Sequence, residues 1–262
     1  MADRVNAGAR GMARVRLDTL LVGRGLVASR ERARALILAG QVRVGDRAAP
    51  KAGALVDEDA PVRLLEPDHP YVGRGGVKLA HALDAFRIGV EGRLALDVGA
   101  STGGFTDVLL RRGARRVVAL DVGHGQLAWA IRTDPRVVVL EHVNARTLVP
   151  DQLPDGLRRF DVVTIDVSFI SLKAIFPVLP PLVNPAADLV ALVKPQFEAG
   201  RAEVGRGGLV TDSAVHARVL DEVAARARAL GFSVLAATPS PITGVEGNQE
   251  FFLHLRPGEP SQ

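Results

Sequence analysis

The sequence contains no cysteine, which removes disulfide scaffolds, thiol nucleophiles and cysteine-based zinc sites together. Lysine is scarce too: of 33 basic residues only Lys51, Lys78, Lys173 and Lys194 are lysines. No apolar run reaches the roughly 18 residues that a membrane-spanning helix needs. The most apolar stretch, 175–183, is broken by Pro177, Pro180 and Pro181. The start of the chain, Met1 to Arg16, alternates Arg, Gly and Ala without an apolar block, so no secretory signal is expected and a cytoplasmic location is. None of the six histidines form an HxxxH pair, and no metal site is expected.

What is present suffices for one full-sized core with a small second domain, since 47% of the 262 residues are hydrophobic. The charge is uneven. Residues 1–63 carry 12 Lys and Arg against 7 Asp and Glu, whereas 64–262 carry 21 against 22. A basic front quarter beside a near-neutral body points to a nucleic-acid handle on something else.

Residues 1–13 are small, polar and glycine-rich and read as a disordered extension. Leu17, Leu20 and Leu21 then share a helical face that Gly25 ends. Ser29 suits the N-cap of a second helix, with Ala33, Leu36 and Ile37 inward, Arg30 and Arg34 outward and Gly40 as its stop. Val42-Arg43-Val44, Val56 and Val62 to Leu64 supply short strands. These residues, with Arg16-Leu17-Asp18, Gly25-Leu26-Val27, Ser29-Arg30 and Lys51-Ala52-Gly53, resemble the S4 domain, an α+β RNA-binding module, over 14–64. The resemblance implies that Arg16, Arg24, Arg30, Arg34 and Lys51 face RNA.

Two prolines within 66–70 mark a linker, taken as 65–73. A glycine-rich turn at 73–76 opens a helix to about Phe86. From Leu94 onward, apolar strands alternate with helices: strands at 94–98, 117–121, 137–140, 160–166, 189–193, 232–237 and 250–255, and helices at 103–112, 126–132, 172–178 and 213–230. Continuous apolar strands of this kind form a mostly parallel sheet covered on both faces. The large α/β domain is thus expected over 74–256, with a tail at 257–262.

Its most informative stretch is Asp97-Val98-Gly99-Ala100-Ser101-Thr102-Gly103-Gly104-Phe105, a strand, a glycine turn and a helix start. Glycines let backbone approach a ligand, and a helix start offers free N–H groups. The pattern is neither GxGxxG nor a P-loop, which disfavours a dehydrogenase or a nucleotide hydrolase. Asp121 ends the second strand and is placed to take both hydroxyls of a ribose. Asn144 and Ala145 follow the third strand, where an adenine edge could be read, and Asp166 ends the fourth. The stretch 90–256 resembles the Rossmann-like S-adenosylmethionine-dependent methyltransferases, which implies S-adenosyl-L-methionine as cofactor, its methionine part on the Gly99 to Phe105 turn.

A lysine kept in an arginine-biased chain hints at chemistry that arginine cannot do, because lysine can lose its proton and arginine effectively cannot. Lys194 ends an apolar strand inside the expected crevice, and Lys78 stands at the entry to the domain. Glu250 is expected in the last strand, and Glu246 is a weaker rival in the preceding loop. Lys78, Asp166, Lys194 and Glu250, in that order, resemble the Lys-Asp-Lys-Glu tetrad of ribose 2′-O-methyltransferases. Together with the S4-like module, Asp166 to Ser171 and Lys194 to Glu198, they resemble the TlyA family over 14–256. That resemblance implies a ribosomal RNA cytidine 2′-O-methyltransferase, needing no metal or membrane, with ribosomal RNA or ribosomal subunits as partner and Lys194 as base. Some members carry paired tryptophans in the linker; here it reads His69-Pro70-Tyr71-Val72, and the single Trp is Trp129. Two other readings stand beside this one: a membrane-active hemolysin, the older label of many family members, and an RNA-binding protein with an inactive methyltransferase fold.

Overall fold

The computed structural model describes residues 13–65, 69–154, 156–244 and 246–258. All but the last residue of the expected disordered start, part of the linker and most of the expected tail lie outside them. The chain divides into two compact units, 1–70 and 71–262.

In the first unit, β1 (Arg14–Arg16) leads into α1 (Leu17–Gly23), followed by α2 (Arg30–Leu38), β2 (Val42–Val44), β3 (Arg47–Ala48), β4 (Leu55–Asp57) and β5 (Val62–Leu64). β1 pairs with β4, and β2 lies between β3 and β5, all antiparallel. Ser29 caps α2 by accepting from the Arg32 N–H at 3.1 Å. Both helices stop as expected. At Gly40 (φ +71°), the Gly40 N–H bonds the Ile37 carbonyl and the Gln41 N–H bonds the Leu36 carbonyl, a left-handed turn that consumes two carbonyls left open by the helix. Leu17, Leu21, Val27, Ala33, Ile37 and Val42 form the core.

The second unit begins with α3 (Gly75–Ala85), then β6 (Leu94–Val98), α4 (Gly104–Arg111), β7 (Arg116–Leu120), α5 (Trp129–Arg132), β8 (Val137–Leu140), β9 (Phe160–Ile165), β10 (Val183–Val193), α6 (Pro195–Glu198), α7 (Ser213–Ala229), β11 (Phe232–Pro239) and β12 (Phe251–Pro257). Its seven-stranded sheet runs β11-β12-β10-β9-β6-β7-β8. β12 pairs antiparallel with both neighbours, and the pairs among the other strands are parallel. Residues of each strand alternate between two cores. Leu94, Leu96 and Val98 face a core with α7, while Ala95 faces one with α3 and α4. Helical layers therefore cover both sheet faces, as the continuous apolar strands imply.

Four local expectations are corrected. The helix expected over 172–178 is a series of 3₁₀ turns at Leu172–Ala174, Phe176–Val178 and Pro180–Leu182, because Pro177, Pro180 and Pro181 lack the N–H an α-helix needs. The helix expected from 126 is reduced to Trp129–Arg132, and the strand expected from Leu189 starts earlier, at Val183. Glu250 precedes the last strand rather than lying in it.

Candidate active site

The chain crosses over between β6 and β9, which are sheet neighbours although β7 and β8 lie between them in sequence. A reversal of strand order opens a crevice at the carboxyl ends of the strands. Gly99 follows β6, Asp121 follows β7, Asn144 and Ala145 lie in the segment after β8, Asp166 follows β9 and Lys194 follows β10. β12 runs the other way, so its beginning lies at the same end; Val193 pairs with Phe251, and Lys194 and Glu250 leave the ladder side by side.

The crevice has two lobes that share Gly99, Ser101, Asp166, Ser168 and Phe169. One, of about 570 Å³, is lined by Asp121, Asn144, Ala145 and Arg146. The other, of about 620 Å³, is lined by Thr102, Gly104, Phe105, Lys78, Lys194 and Glu250. Gly99 has φ +87°, and a Cβ there would lie 2.3 Å from the Asp166 carbonyl oxygen, so the crossover closes only around glycine.

Two lysine–carboxylate pairs stand in the second lobe. Lys78 Nζ donates to Glu250 Oε2 at 2.5 Å, both nearly buried. Lys194 Nζ lies 2.5 Å from Asp166 Oδ1 and donates to Ser168 Oγ at 2.9 Å. The four residues expected as a tetrad thus line one cavity. In the first lobe, Asp121 Oδ2 accepts the Ser101 N–H and Oδ1 the Gly123 N–H, both at 2.8 Å. Each carboxylate oxygen keeps a lone pair for a further donor. A carboxylate beside a cavity of this size, continuous with a glycine turn, fits a nucleoside-containing cofactor with a vicinal diol.

Two expected cofactor residues prove to lie elsewhere. Asp97 is fully buried and lines neither lobe; Thr106 and Thr164 donate to it at 2.7 and 3.0 Å. Burial pushes its carboxyl up to about 7, against the two threonine bonds. Gly103 packs instead of lining, since a Cβ there would meet Leu127 at 2.9 Å.

Sequence reasoning missed the aromatic and clamping groups. Phe169 is 90% exposed, has φ +63° and tilts against Phe197 at 5.2 Å, and both rings line the lysine lobe. A left-handed phenylalanine is strained, and such strain concentrates at functional sites. Glu198 ties the loop after Asp166 to the turn after Lys194: it accepts from Ser171 Oγ and the Leu172 N–H, both at 2.6 Å. Burial raises its carboxyl, opposed by those two bonds. Exposure and long-range clamps leave no local pattern; φ > 0 at a phenylalanine has no sequence signal.

In the first unit, the expected RNA-facing cations divide. Asp18, wholly buried, accepts two bonds from Arg16 and one from Arg30, and these hold its carboxyl well below the usual range. Arg24 donates to the Ala60 and Glu58 carbonyls. The side chains of Arg34 and Lys51 are exposed and make no hydrogen bond or ion pair among the described residues. No group of three or more His, Asp and Glu able to hold a metal occurs among the described residues.

A switched parallel sheet with one antiparallel strand, a glycine turn and an acid after the second strand define the Rossmann-like methyltransferase class of fold. Comparison narrows this. The FtsJ-like methyltransferase model matches residues 71–257 and the S4 domain model matches 15–62. The 16S/23S rRNA (cytidine-2′-O)-methyltransferase TlyA of Mycobacterium tuberculosis is 50% identical over 93% of this chain and 90% of its own. Hemolysin A of Brachyspira hyodysenteriae is 40% identical over 92% of this chain and 99% of its own. A hemolysin-labelled structure from Streptococcus thermophilus superposes with a TM-score of 0.74 at 42% identity, covering 96% of this chain and 91% of that one. The chain belongs to the FtsJ-like methyltransferase family, in the TlyA group, and carries an S4 domain ahead of the methyltransferase domain. Among the described residues no helix is long and apolar enough to cross a membrane.

Proposed function

We propose that the protein methylates the 2′-hydroxyl of a cytidine in ribosomal RNA with S-adenosylmethionine as methyl donor. The observation that carries this reading is the pair of lysine–carboxylate contacts, Lys78–Glu250 and Lys194–Asp166, in a lobe continuous with the Asp121 lobe. The named activity of the Mycobacterium tuberculosis relative agrees with it.

S-adenosylmethionine, when bound, supplies a methyl group on a positively charged sulfur. Asp121 takes the ribose hydroxyls of the donor, Asn144 and Ala145 border its base, and the turn from Gly99 to Phe105 receives its amino-acid end. Lys194, once in its neutral amine form, would accept the proton of the target 2′-hydroxyl as the oxygen gains the methyl group and the methyl–sulfur bond breaks, leaving the sulfur neutral. Asp166 and Ser168 fix the direction of Nζ, so that the amine meets the hydroxyl without a search. Lys78 and Glu250 balance charge in the wall and hold the target ribose. Phe169 offers a flat apolar face on which an unstacked base can rest. The unit with Arg34 and Lys51 holds structured RNA by its phosphates, joined by the outward N–H groups of Arg16, Arg24 and Arg30. Residues 14–64 thus dock the RNA and 74–256 perform the transfer.

The test is to map 2′-O-methyl groups on ribosomal RNA from cells with and without the protein. A cytidine methylated only in its presence is the expected result. Identical maps would overturn the reading, and leakage of liposomes by the purified protein would favour the hemolysin alternative.

A further inference from the structure

Asp18 is buried in the first unit with its charge intact. Its side chain has no exposed surface, and the Arg16 and Arg30 bonds hold its carboxyl well below the usual range. Taking a charge out of water is costly, and well-packed apolar side chains in place of a buried ion pair often serve stability as well or better. Stability alone therefore gives little reason for a carboxylate at this position.

What the carboxylate supplies is direction. Arg16 grips it with two bonds, Nε to Oδ1 at 3.0 Å and Nη2 to Oδ2 at 2.8 Å. Arg30, at the start of α2, adds Nη2 to the same Oδ2 at 3.2 Å. One oxygen thus holds two guanidiniums side by side against their mutual repulsion. Neither is used up, because a guanidinium has five N–H groups, of which Arg16 spends two and Arg30 one. Neither is enclosed, since their side chains are 45% and 56% exposed. The Arg16 group also lies against Gly53, where an added Cβ would meet Nη1 at 3.1 Å and Nη2 at 3.3 Å. The Asp18 N–H bonds the Ala52 carbonyl at 3.0 Å, which ties the turn that carries Lys51 to the same point. A free arginine loses side-chain freedom when it grips a phosphate, whereas a clamped one has lost it already on folding. Such preorganisation favours an RNA of fixed shape and does little for one that can bend to meet any cation.

We infer that Asp18 is a positioning residue for RNA: it fixes Arg16 and Arg30 as one pair whose unspent N–H groups meet the phosphates of a structured RNA. The inference rests on the RNA-docking reading of this unit. It adds an acid to the docking surface, although the charge of an acid by itself repels RNA.

The experiment uses the full chain and two RNAs at one salt concentration, ribosomal RNA as the structured ligand and polyuridylate as the unstructured one. Asp18→Asn keeps the shape and removes the negative charge, so charge alone would strengthen binding to both. The expected result has the opposite sign for the structured ligand. In a variant whose first unit stays folded by hydrogen exchange, affinity for ribosomal RNA should fall by about tenfold, the scale of a hydrogen bond to a charged group. Affinity for polyuridylate should hold or rise. In a chain that also carries Arg16→Met and Arg30→Met, Asp18→Asn should cause no further loss, because its effect passes through those two side chains. Unchanged or higher affinity for ribosomal RNA, an equal loss on both RNAs, or a further loss in the chain without the two arginines overturns the inference. Should Asp18→Asn unfold the first unit, the surface variant Arg16→Lys decides alone. It keeps the charge but cannot grip the carboxylate with two bonds, so wild-type affinity for ribosomal RNA in that variant overturns the inference. A wild type that binds neither RNA would instead defeat the docking reading itself, and this inference with it.

Discussion

Lys78 and Lys194 each face a carboxylate at 2.5 Å, but only Lys194 also meets a hydroxyl in the cavity wall. On the proposed reading, that difference makes Lys194 rather than Lys78 the proton acceptor. Lys194→Arg keeps the charge opposite Asp166, yet a guanidinium cannot release a proton near neutral pH. Methyl transfer under single-turnover conditions, with cofactor and RNA saturating, should therefore fall by about 10²–10⁴-fold while cofactor binding survives. A wild-type rate in that variant would leave Lys194 as a fixed charge and place the base elsewhere. Asp121 offers a second test at this scale. Its carboxylate already steadies the Ser101 and Gly123 N–H groups. Asp121→Ala should weaken cofactor binding by roughly 1–3 kcal/mol, because the ribose hydroxyls of the bound cofactor lose their acceptor. Calorimetry showing full affinity would remove Asp121 from the cofactor lobe.

At the scale of elements, the crossover between β6 and β9 is braced from below. Asp97 on β6 receives hydroxyl bonds from Thr106 on α4 and Thr164 on β9, so one buried carboxyl joins three elements under the glycine turn. Burial raises it from 3.8 to about 7. A carboxyl raised on folding stabilises the fold fully below its unfolded value and loses that contribution as pH rises through the folded one. Unfolding in denaturant should therefore show the wild type losing stability between about pH 4 and pH 7 relative to Asp97→Asn, whose amide stays neutral throughout. The difference should reach up to roughly 4 kcal/mol. A pH-independent difference would mean that Asp97 is already ionised in the folded protein. Above the crossover, Glu198 performs a matching task, holding the Ser171–Leu172 backbone to α6 so that Ser168 stays within reach of Lys194.

At the scale of the whole molecule, the first unit holds most of the excess positive charge, and the second carries the crevice. Phosphate binding releases counterions, so affinity for ribosomal RNA should fall steeply with salt. Replacing both Arg34 and Lys51 by alanine should reduce the slope of log affinity against log salt by about 2, one per lost phosphate contact. An unchanged slope would move the RNA contact to other cations. A chain lacking residues 1–64 should keep cofactor binding, since both lobes are lined by later residues, and lose methylation of ribosomal RNA. Full activity without that unit would refute the division of labour.

Features written in neighbouring residues could be read without coordinates. The Ser29 cap, the stops at Gly25 and Gly40 and the strands Leu94–Val98 and Val137–Leu140 depend on conformational preferences within a few residues, and each appears where the pattern places it. The order of lysines and acids could be read too, but not which meets which: Lys78 and Glu250 lie 172 positions apart, and only sheet register brings Glu250 beside Lys194. Burial is likewise invisible along the chain. Asp18 and Asp97 look like ordinary surface or ligand acids until packing removes them from solvent, turning one into a clamp for two arginines and the other into a brace beneath the crossover. Phe169 is the converse case, an aromatic residue that composition would bury and that the loop between β9 and β10 holds out in the crevice. Local preference is a property of a few adjacent residues, whereas desolvation and pairing depend on every element that folds around them.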